Sequence, residues 1–223
     1  MDSQRPLVIF DLDGTLVDSR HDIAAALNVS LEGIGCVRRP EAELFCQIGR
    51  PLLDIYLEIG VPGDRDAAER AMTLYRDYFH EHCADRSRLY PGVVETLRDL
   101  RRDFRLAVAT TKQGRMAERV VERLGLRPFF DRVQGTDGFA AKPHPAIILL
   151  LLERFGLPAT RAVMVGDTAA DVLAGRRAGV FSVGVTYGIG GEDELRQAGA
   201  DRLASDFPIL AGIVRARLNV APD

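Results

Sequence analysis

The sequence predicts an α/β fold of the doubly wound, Rossmann-like type, with a helical domain inserted near its beginning. Short apolar runs typical of strands recur along the 223 residues, and from Leu106 onward they alternate with helix-like stretches. The runs are apolar at nearly every position, which is typical of parallel strands buried on both faces. The interval from Ser19 to Arg88 interrupts this alternation, because it shows helical periodicity and no convincing strand.

The predicted strands are short runs rich in Val, Ile, Leu and Phe. Those that fit this pattern are Leu7 to Phe10, Leu106 to Thr110, Arg132 to Gly135, Ala162 to Gly166, and Phe181 to Val185. Because they read as nearly continuous apolar runs, we expect them to lie side by side in the interior of one sheet.

The helices are predicted from apolar periodicity. Those of the insertion are Asp22 to Ile34, Glu41 to Gln47, Leu52 to Glu58, and Asp64 to His82, the last with Asp64 as its N-cap. Pro91 and Gly92 mark the return to the main domain. The helices expected there are Val93 to Arg102, Arg115 to Leu124, Pro145 to Phe155, Ala169 to Ala178, Glu192 to Ala198, and Pro208 to Leu218. Residues 1–18 and 89–223 are thus predicted to form the α/β core, and residues 19–88 the helical insertion.

Composition argues against several classes of protein. The chain is 47% hydrophobic and 27% charged with a net charge of −3, and it lacks the basic excess typical of nucleic-acid-binding proteins. The longest apolar run, Ala146 to Leu152, is about two helical turns, so we expect no membrane span. Cys36, Cys46 and Cys83 show no spacing typical of a disulfide framework or a zinc site, which favours a reducing cytoplasm.

Two of the predicted strands are each followed by a pair of carboxylates. Asp11 and Asp13 follow the first strand, and residues two apart in an extended chain project to the same side. Asp167 and Asp171 follow the strand that ends at Gly166. If a helix begins there, Asp171 lies about one turn beyond Asp167. Both pairs therefore stand at the carboxyl ends of parallel strands, where open α/β sheets bind ligands.

Each pair also has a simpler explanation. Asp13 and Gly14 could form the turn of a β-hairpin, and Asp171 could stabilise the N-terminus of its helix. Neither explanation accounts for acids at the ends of two strands, because neighbouring carboxylates repel and burial without a counter-charge raises the pKa. A hard divalent cation with oxygen ligands accounts for both pairs.

Two further strand ends offer groups that suit an anionic substrate. Thr110 ends the second strand with a hydroxyl and adjacent backbone amides, and Lys142 follows the third strand with a compact positive charge. Taken singly, each is compatible with an ordinary surface or capping residue. Together with a cation they could surround a phosphate, since phosphoryl transfer depends mainly on positioning and charge neutralisation.

These residues occur in the order of the four signature motifs of the haloacid dehalogenase superfamily, which the sequence resembles over nearly its whole length. The motif positions are Asp11 to Thr15, Thr110, Lys142 with Pro143, and Gly166 to Asp171. Within the superfamily the sequence is most similar to phosphoglycolate phosphatases, in the runs Leu16 to Ser19, Ile48 to Leu52, Tyr90 to Val93, Lys142 to Pro145, and Val163 to Thr168. The insertion resembles the superfamily's helical cap.

The resemblance implies a Mg²⁺-dependent phosphatase that hydrolyses a small phosphate monoester, 2-phosphoglycolate as the leading candidate, through an aspartyl-phosphate. It implies that Asp11 is the nucleophile and that Asp13 is first the general acid and then the general base. The ligands of Mg²⁺ would be the Asp11 carboxylate, the Asp13 backbone carbonyl and Asp167, with Asp171 contributing directly or through water.

The resemblance also implies which residues hold the substrate. Thr110 and Lys142 would bind the phosphoryl group. Thr111 stands where such phosphatases commonly have Asn, so only its backbone amide would take part. Arg50, in the insertion, is a candidate for binding the carboxylate of phosphoglycolate with two hydrogen bonds, the alternative being a solvated arginine.

Several alternatives remain open at this level. A sugar phosphomutase or a pyrophosphatase of the same superfamily could use the same acids, although phosphomutases often carry Val where Thr15 stands. A dehalogenase is disfavoured, because Asp13 supplies an acid that dehalogenation does not need. A non-catalytic scaffold would leave the clustered acids without a purpose. The sequence allows either a monomer or a homodimer.

Overall fold

The computed structural model describes residues 5–61 and 65–218. Numbered in chain order, its strands are β1 Leu7–Phe10, β2 Val17–Asp18, β3 Arg88–Leu89, β4 Arg105–Ala109, β5 Arg132–Gln134, β6 Ala162–Gly166, β7 Phe181–Val185 and β8 Arg202–Ala204. Its helices are α1 Arg20–Gly33, α2 Glu41–Phe45, α3 Leu52–Glu58, α4 Arg65–His82, α5 Val93–Leu100, α6 Gly114–Arg123, α7 Ala146–Phe155, α8 Ala169–Arg177, α9 Glu192–Ala198 and α10 Phe207–Leu218.

The main sheet has six strands within the described residues, in the order β5-β4-β1-β6-β7-β8. Every neighbouring pair in this sheet is parallel, and Leu7 of β1 is in register with Arg105 of β4 and Ala162 of β6. The strand order reverses on the two sides of β1, and such a reversal opens a crevice at the carboxyl ends of the strands. This topology confirms the predicted doubly wound fold.

Helices cover both faces of the sheet. Alternate residues of β1 point to opposite faces, and each set packs against different helices. Val8 and Phe10 belong to a hydrophobic cluster that includes residues of α5, α6 and α10. Leu7 and Ile9 belong to a second cluster, with residues of α7 and α8. The nearly continuous apolar character of the strand thus reflects burial on both sides. No helix in the described part of the chain combines the length and apolar character needed to cross a bilayer.

The helical insertion, which contains α1 to α4, leaves and rejoins the core through two short strands. β2 and β3 pair antiparallel, with Val17 opposite Leu89. Asp22 at the start of α1 is buried and accepts hydrogen bonds from the backbone N–H groups of Arg86 and Ser87, at 3.0 and 2.8 Å. The segment that enters the insertion and the segment that leaves it are therefore hydrogen-bonded to each other. The domain boundaries at residues 18 and 89 stay a prediction.

Some elements differ from the sequence-based prediction. The β2–β3 pair and β8 were not expected, because strands of two or three residues are too short for a periodic pattern to reveal. β4 ends at Ala109, so Thr110 lies just beyond the strand. The other boundaries agree within about three residues. Asp64, the expected N-cap of α4, lies outside the described residues.

Candidate active site

Three acids gather at the carboxyl edge of the sheet. Asp11 follows β1 and Asp167 follows β6, and these strands are neighbours, with Phe10 in register with Val165. Asp11, Asp167 and Asp171 each place one carboxylate oxygen within 4.8 Å of the others, and all three side chains are buried. Residues more than 150 positions apart in sequence therefore come within reach of one ion.

The electrostatics of this cluster favour a cation. Burial raises the pKa of the Asp11 carboxyl well above its usual value; Lys142 opposes the shift, and the neighbouring acids add to it. Burial, with the charge of Asp171, also raises the pKa of Asp167 to about 6. A bound divalent cation would reverse this penalty by favouring the ionised forms. Because the available donors are carboxylate oxygens, the cluster could hold a hard divalent cation such as Mg²⁺.

Mg²⁺ is expected to stabilise the folded protein against heat, and more strongly at pH 7.5 than at pH 5. The raised pKa values of Asp11 and Asp167 mean that protons compete with the ion at the lower pH. At a concentration about 100 times Kd, the gain at pH 7.5 should be about 5–10 °C in Tm. Differential scanning fluorimetry with MgCl₂, and with KCl at matched ionic strength as control, measures it. A shift that is equal at both pH values would contradict a site made of these acids.

Lys142 contacts two acids of the cluster, Asp11 and Asp171. Its Nζ lies 2.5 Å from Oδ1 of Asp11 and 2.9 Å from the backbone carbonyl oxygen of Ala109, and it donates a third hydrogen bond to Oδ1 of Asp171. The side chain is 3% exposed. Burial alone disfavours its charge, but the Asp11 and Asp171 carboxylates raise the pKa of Lys142 above its usual value. All three ammonium donors are satisfied, so Lys142 holds Asp11 in a defined orientation.

Asp13 is not one of these three clustered acids, although its charge acts on Asp11. Its Oδ1 accepts a hydrogen bond of 2.6 Å from the Ser19 hydroxyl, and its Oδ2 lies 3.3 Å from Nζ of Lys112. The same Nζ lies 4.3 Å from the ring centroid of Phe79 in α4. The carboxylate of Asp13 is thus held between the core and the helical insertion. The proposed use of its backbone carbonyl as a metal ligand stays a prediction.

Asp167 is oriented by two donors and by glycines packed against it. The Thr15 hydroxyl donates to Oδ1 at 2.9 Å, and the backbone N–H of Ile189 donates to Oδ2 at 2.8 Å. Gly14 has φ +89°, and a Cβ there would come within 2.1 Å of Oδ2 of Asp167. A Cβ at Gly188 would come within 2.3 Å of the Cβ of Asp167. Only glycine permits both close approaches.

Asp171 has two roles in the structure. The backbone N–H and the hydroxyl of Thr168 donate to Oδ2 of Asp171, and Thr168 in turn caps the first turn of α8. The other carboxylate oxygen, Oδ1, contacts Lys142. The capping explanation is therefore correct, and the same side chain also belongs to the acidic cluster.

Thr110 and Thr111 face different partners. Thr110 is buried beside β4, and its hydroxyl oxygen accepts a hydrogen bond of 3.2 Å from the backbone N–H of Lys112. The Thr111 hydroxyl donates to the backbone carbonyl of Gly49 at 2.9 Å, which links the core to the insertion. The Thr111 side chain is thus already engaged, and only its backbone amide is left for the proposed contact with phosphate.

Arg50 lies at the mouth of a cavity between the insertion and the core. Its guanidinium donates to the side-chain carbonyl of Gln47 at 2.7 Å and pairs with Glu58. The cavity measures about 240 Å³, and its charged lining residues are Asp13, Arg50, Arg76 and Lys112. Arg50 therefore borders the space that a substrate would enter.

Sequence reasoning missed three groups that support the site. They are the Ser19 hydroxyl and the Lys112 ammonium, both on Asp13, and the Ile189 N–H on Asp167. The glycines around Ile189 were a usable signal, since they indicate a close backbone approach. Lys112 offered a signal too, since it and Lys142 are the only two lysines in the sequence. Ser19 offered no comparable signal, because isolated Ser residues are common on protein surfaces.

Comparison with known proteins gives consistent matches over the chain. The family model described as haloacid dehalogenase-like hydrolase matches residues 8–185. The "Probable phosphatase IndB" of Dickeya dadantii is 36% identical over 222 residues, which cover 97% of this chain and 96% of the relative. A phosphoglycolate phosphatase of Haemophilus influenzae is 33% identical, with coverages of 96% and 100%. The crystal structure of a predicted phosphatase from Clostridium acetobutylicum superposes with a TM-score of 0.87 at 30% identity, covering 95% of this chain and 99% of that one.

Proposed function

Since the chain belongs to the haloacid dehalogenase-like hydrolases and is a phosphatase close to the phosphoglycolate phosphatases, we propose that it uses Mg²⁺ and an aspartyl-phosphate formed on Asp11. The observation that carries this proposal is the arrangement of Lys142, which contacts both Asp11 and Asp171 while Asp167 lies within reach of the same ion. Phosphoryl transfer requires a nucleophilic carboxylate, a charged group that orients it and oxygen ligands for a metal ion. Here Asp11, Lys142 and the other acids bring these groups together.

The proposed reaction proceeds in two steps. Asp11 attacks phosphorus, the bond from phosphorus to the ester oxygen breaks, and Asp13 gives its proton to the leaving oxygen. Asp13 then accepts a proton from the water that cleaves the aspartyl-phosphate, which releases phosphate and restores Asp11. Asp13 is suitably placed because its carboxylate contacts Ser19 and Lys112 and is not among the three acids that lie within reach of one ion.

The remaining site residues bind and orient. Mg²⁺, when bound by Asp11, Asp167, Asp171 and the Asp13 carbonyl, would neutralise the charge that gathers on the phosphoryl oxygens. Thr110 and the Thr111 amide bind those oxygens, and Lys142 does so by exchanging one of its three hydrogen bonds to protein oxygens for one to the phosphoryl group.

The helical insertion, residues 19–88, acts as a cap that excludes water during the covalent step. Its contacts with the core, from Thr111 to Gly49 and from Lys112 to Phe79, support this role because both lie beside the acids.

The proposed test of function is a phosphate-release panel with Mg²⁺ and with chelator. It compares 2-phosphoglycolate, pyrophosphate, sugar phosphates and nucleoside monophosphates. Phosphate release that requires Mg²⁺ and is fastest with 2-phosphoglycolate supports the proposal. A sugar phosphate that isomerises without releasing phosphate would favour a phosphomutase, and fastest turnover of pyrophosphate would favour a pyrophosphatase. If the folded protein hydrolysed none of these compounds, the result would favour a non-catalytic scaffold.

The choice of 2-phosphoglycolate rests on the names of relatives and on the charge of the cavity. Arg50, Arg76 and Lys112 line it with one lining acid, Asp13, and Arg50 also pairs with Glu58, so the cations outnumber these acids and favour an anionic leaving group. We place the enzyme in the cytoplasm, in keeping with the free thiols of Cys36, Cys46 and Cys83.

Replacing Arg50 by Ala is expected to raise KM for 2-phosphoglycolate about 10- to 100-fold, because a charge-assisted contact with the carboxylate would be lost. Ethyl phosphate, which lacks the carboxylate, should show little change. Steady-state kinetics with both esters measures the difference. Arg76→Ala tests the neighbouring cation in the same cavity, and Arg38→Ala, an exposed arginine paired with Glu32, is the control. Equal effects of Arg50→Ala on both esters would remove Arg50 from substrate recognition.

A further inference from the structure

The cavity between the insertion and the core has largely apolar walls. Its apolar lining includes Ile48, Leu52, Leu53, Ile55, Met72 and Met116. Leu52, Leu53 and Met72 are only partly buried and pack against the hydrophobic core on one side. Close packing between protein elements leaves few voids larger than a water molecule. The apolar part of this lining is therefore better suited to contact with an apolar group of a ligand than to holding the two parts together.

Asp13 shows which part of a substrate this cavity would receive. The carboxylate of Asp13 borders the cavity together with Thr111 and Lys112. In the proposed function, on which this inference rests, Asp13 protonates the ester oxygen of the leaving group. The alcohol attached to that oxygen must therefore extend past Asp13, and the cavity is the space that it enters.

The size of the cavity exceeds what a two-carbon group fills. Its volume is about 240 Å³. An apolar cavity of about 150 Å³ is large enough to bind benzene. Two of the lining residues, Met72 and Met116, have unbranched side chains that can adjust to ligands of different shapes. The space therefore admits an alcohol that carries a ring, besides a small one such as glycolate.

We propose that the enzyme hydrolyses phosphate monoesters whose alcohol bears an apolar, ring-sized group, and does so more efficiently than it hydrolyses esters of small neutral alcohols. The chemistry is that of the same site: Asp11 takes the phosphoryl group, and the ring-bearing alcohol leaves with the proton of Asp13. The apolar wall formed by Leu53, Met72 and their neighbours supplies the additional binding.

Benzyl phosphate and methyl phosphate test the proposal, because both release an unactivated primary alcohol and differ in the ring. We expect kcat/KM to be at least about tenfold higher for benzyl phosphate, from burial of the ring. Cyclohexylmethyl phosphate should show a similar gain, since the wall is apolar rather than specifically aromatic. Equal or lower kcat/KM for benzyl phosphate, with methyl phosphate still hydrolysed in a Mg²⁺-dependent reaction, would overturn the inference alone. No Mg²⁺-dependent release from any ester would instead overturn the proposed function.

Variants of the lining residues test whether the preference for benzyl phosphate arises in this cavity. Leu53→Ala and Met72→Ala should lower the ratio of kcat/KM for benzyl over methyl phosphate about threefold or more, since each removes part of the apolar wall. The ratio is measured on one preparation, so it does not depend on the fraction of folded enzyme. Leu57→Ala, in the same helix as Leu53 but 62% exposed, is the matched control and should leave the ratio unchanged. A ratio unaffected by both wall variants would contradict the proposed location.

Discussion

Replacing Asp11 by Asn is expected to lower kcat by at least about 10⁴-fold, the scale of losses when a catalytic nucleophile is removed. The amide cannot attack phosphorus, but it keeps the shape of the carboxylate and an oxygen that can accept the hydrogen bond from Lys142. The fold should therefore survive, and Tm should stay close to that of the wild type. Phosphate release and thermal unfolding, measured on the same sample, separate lost chemistry from lost structure.

The covalent intermediate provides an independent readout of the same prediction. Acid quenching of the wild-type enzyme during turnover of a ³²P-labelled ester should leave label on the protein, and the Asp11→Asn variant should carry none. Asp54→Asn changes an exposed acid in α3 and should behave as the wild type in both assays. An Asp11→Asn enzyme that kept a tenth of the activity would show that Asp11 is not the nucleophile.

Replacing Lys142 by Met is expected to reduce both stability and activity. Lys142 is buried between Asp11 and Asp171, so its loss leaves carboxylates without their counter-charge. Breaking a buried pair in this way costs about 3–5 kcal/mol, which corresponds to a fall in Tm of about 6–20 °C for a chain of this size. Activity should fall about 10²- to 10³-fold or more, because the phosphoryl group loses a cation and Asp11 loses its orientation. Thermal unfolding and kcat measure the two effects.

The pH dependence of this loss distinguishes charge from packing. The pKa of Asp11 is raised in the folded protein, so folding favours the protonated carboxyl, and the stability that protonation contributes is lost as the pH rises through this pKa. A protonated carboxyl also needs no counter-charge from Lys142. The gap in Tm between the wild type and Lys142→Met should therefore be smaller at pH 5 than at pH 7.5. Lys142→Arg keeps the charge and should lose less stability, although its larger planar group fits the site less well. A gap that does not change with pH would point to packing instead.

The acids of the site could be predicted from local sequence. Asp11 and Asp167 each follow an apolar run directly, and the carboxyl ends of parallel strands share one edge of the sheet. Their approach followed from topology once the runs were recognised as strands. Asp171 could be placed too, because its position in the first turn of α8 follows from the cap at Thr168.

The partners of these acids could not be predicted in the same way. The contact between Lys112 and Asp13 depends on how the loop after β4 lies against β1, and the contact of Lys112 with Phe79 depends on the position of α4. The N–H of Ile189 reaches Asp167 only because the loop after β7 folds back over β6. No local pattern encodes such distances, since each is set by the packing of several elements at once.

The sequence by itself determined that this protein is a parallel α/β fold with an inserted helical segment, and that paired acids lie where its first and fourth predicted strands end. These features depend on periodicity and on the order of residues along the chain, which short stretches already contain. The tertiary structure alone decided that Lys142 sits between Asp11 and Asp171, that Asp13 faces the insertion, and that an apolar cavity remains beside it. Those features arise from burial and from contacts between residues distant in sequence, which exist only after the helices and strands have packed together.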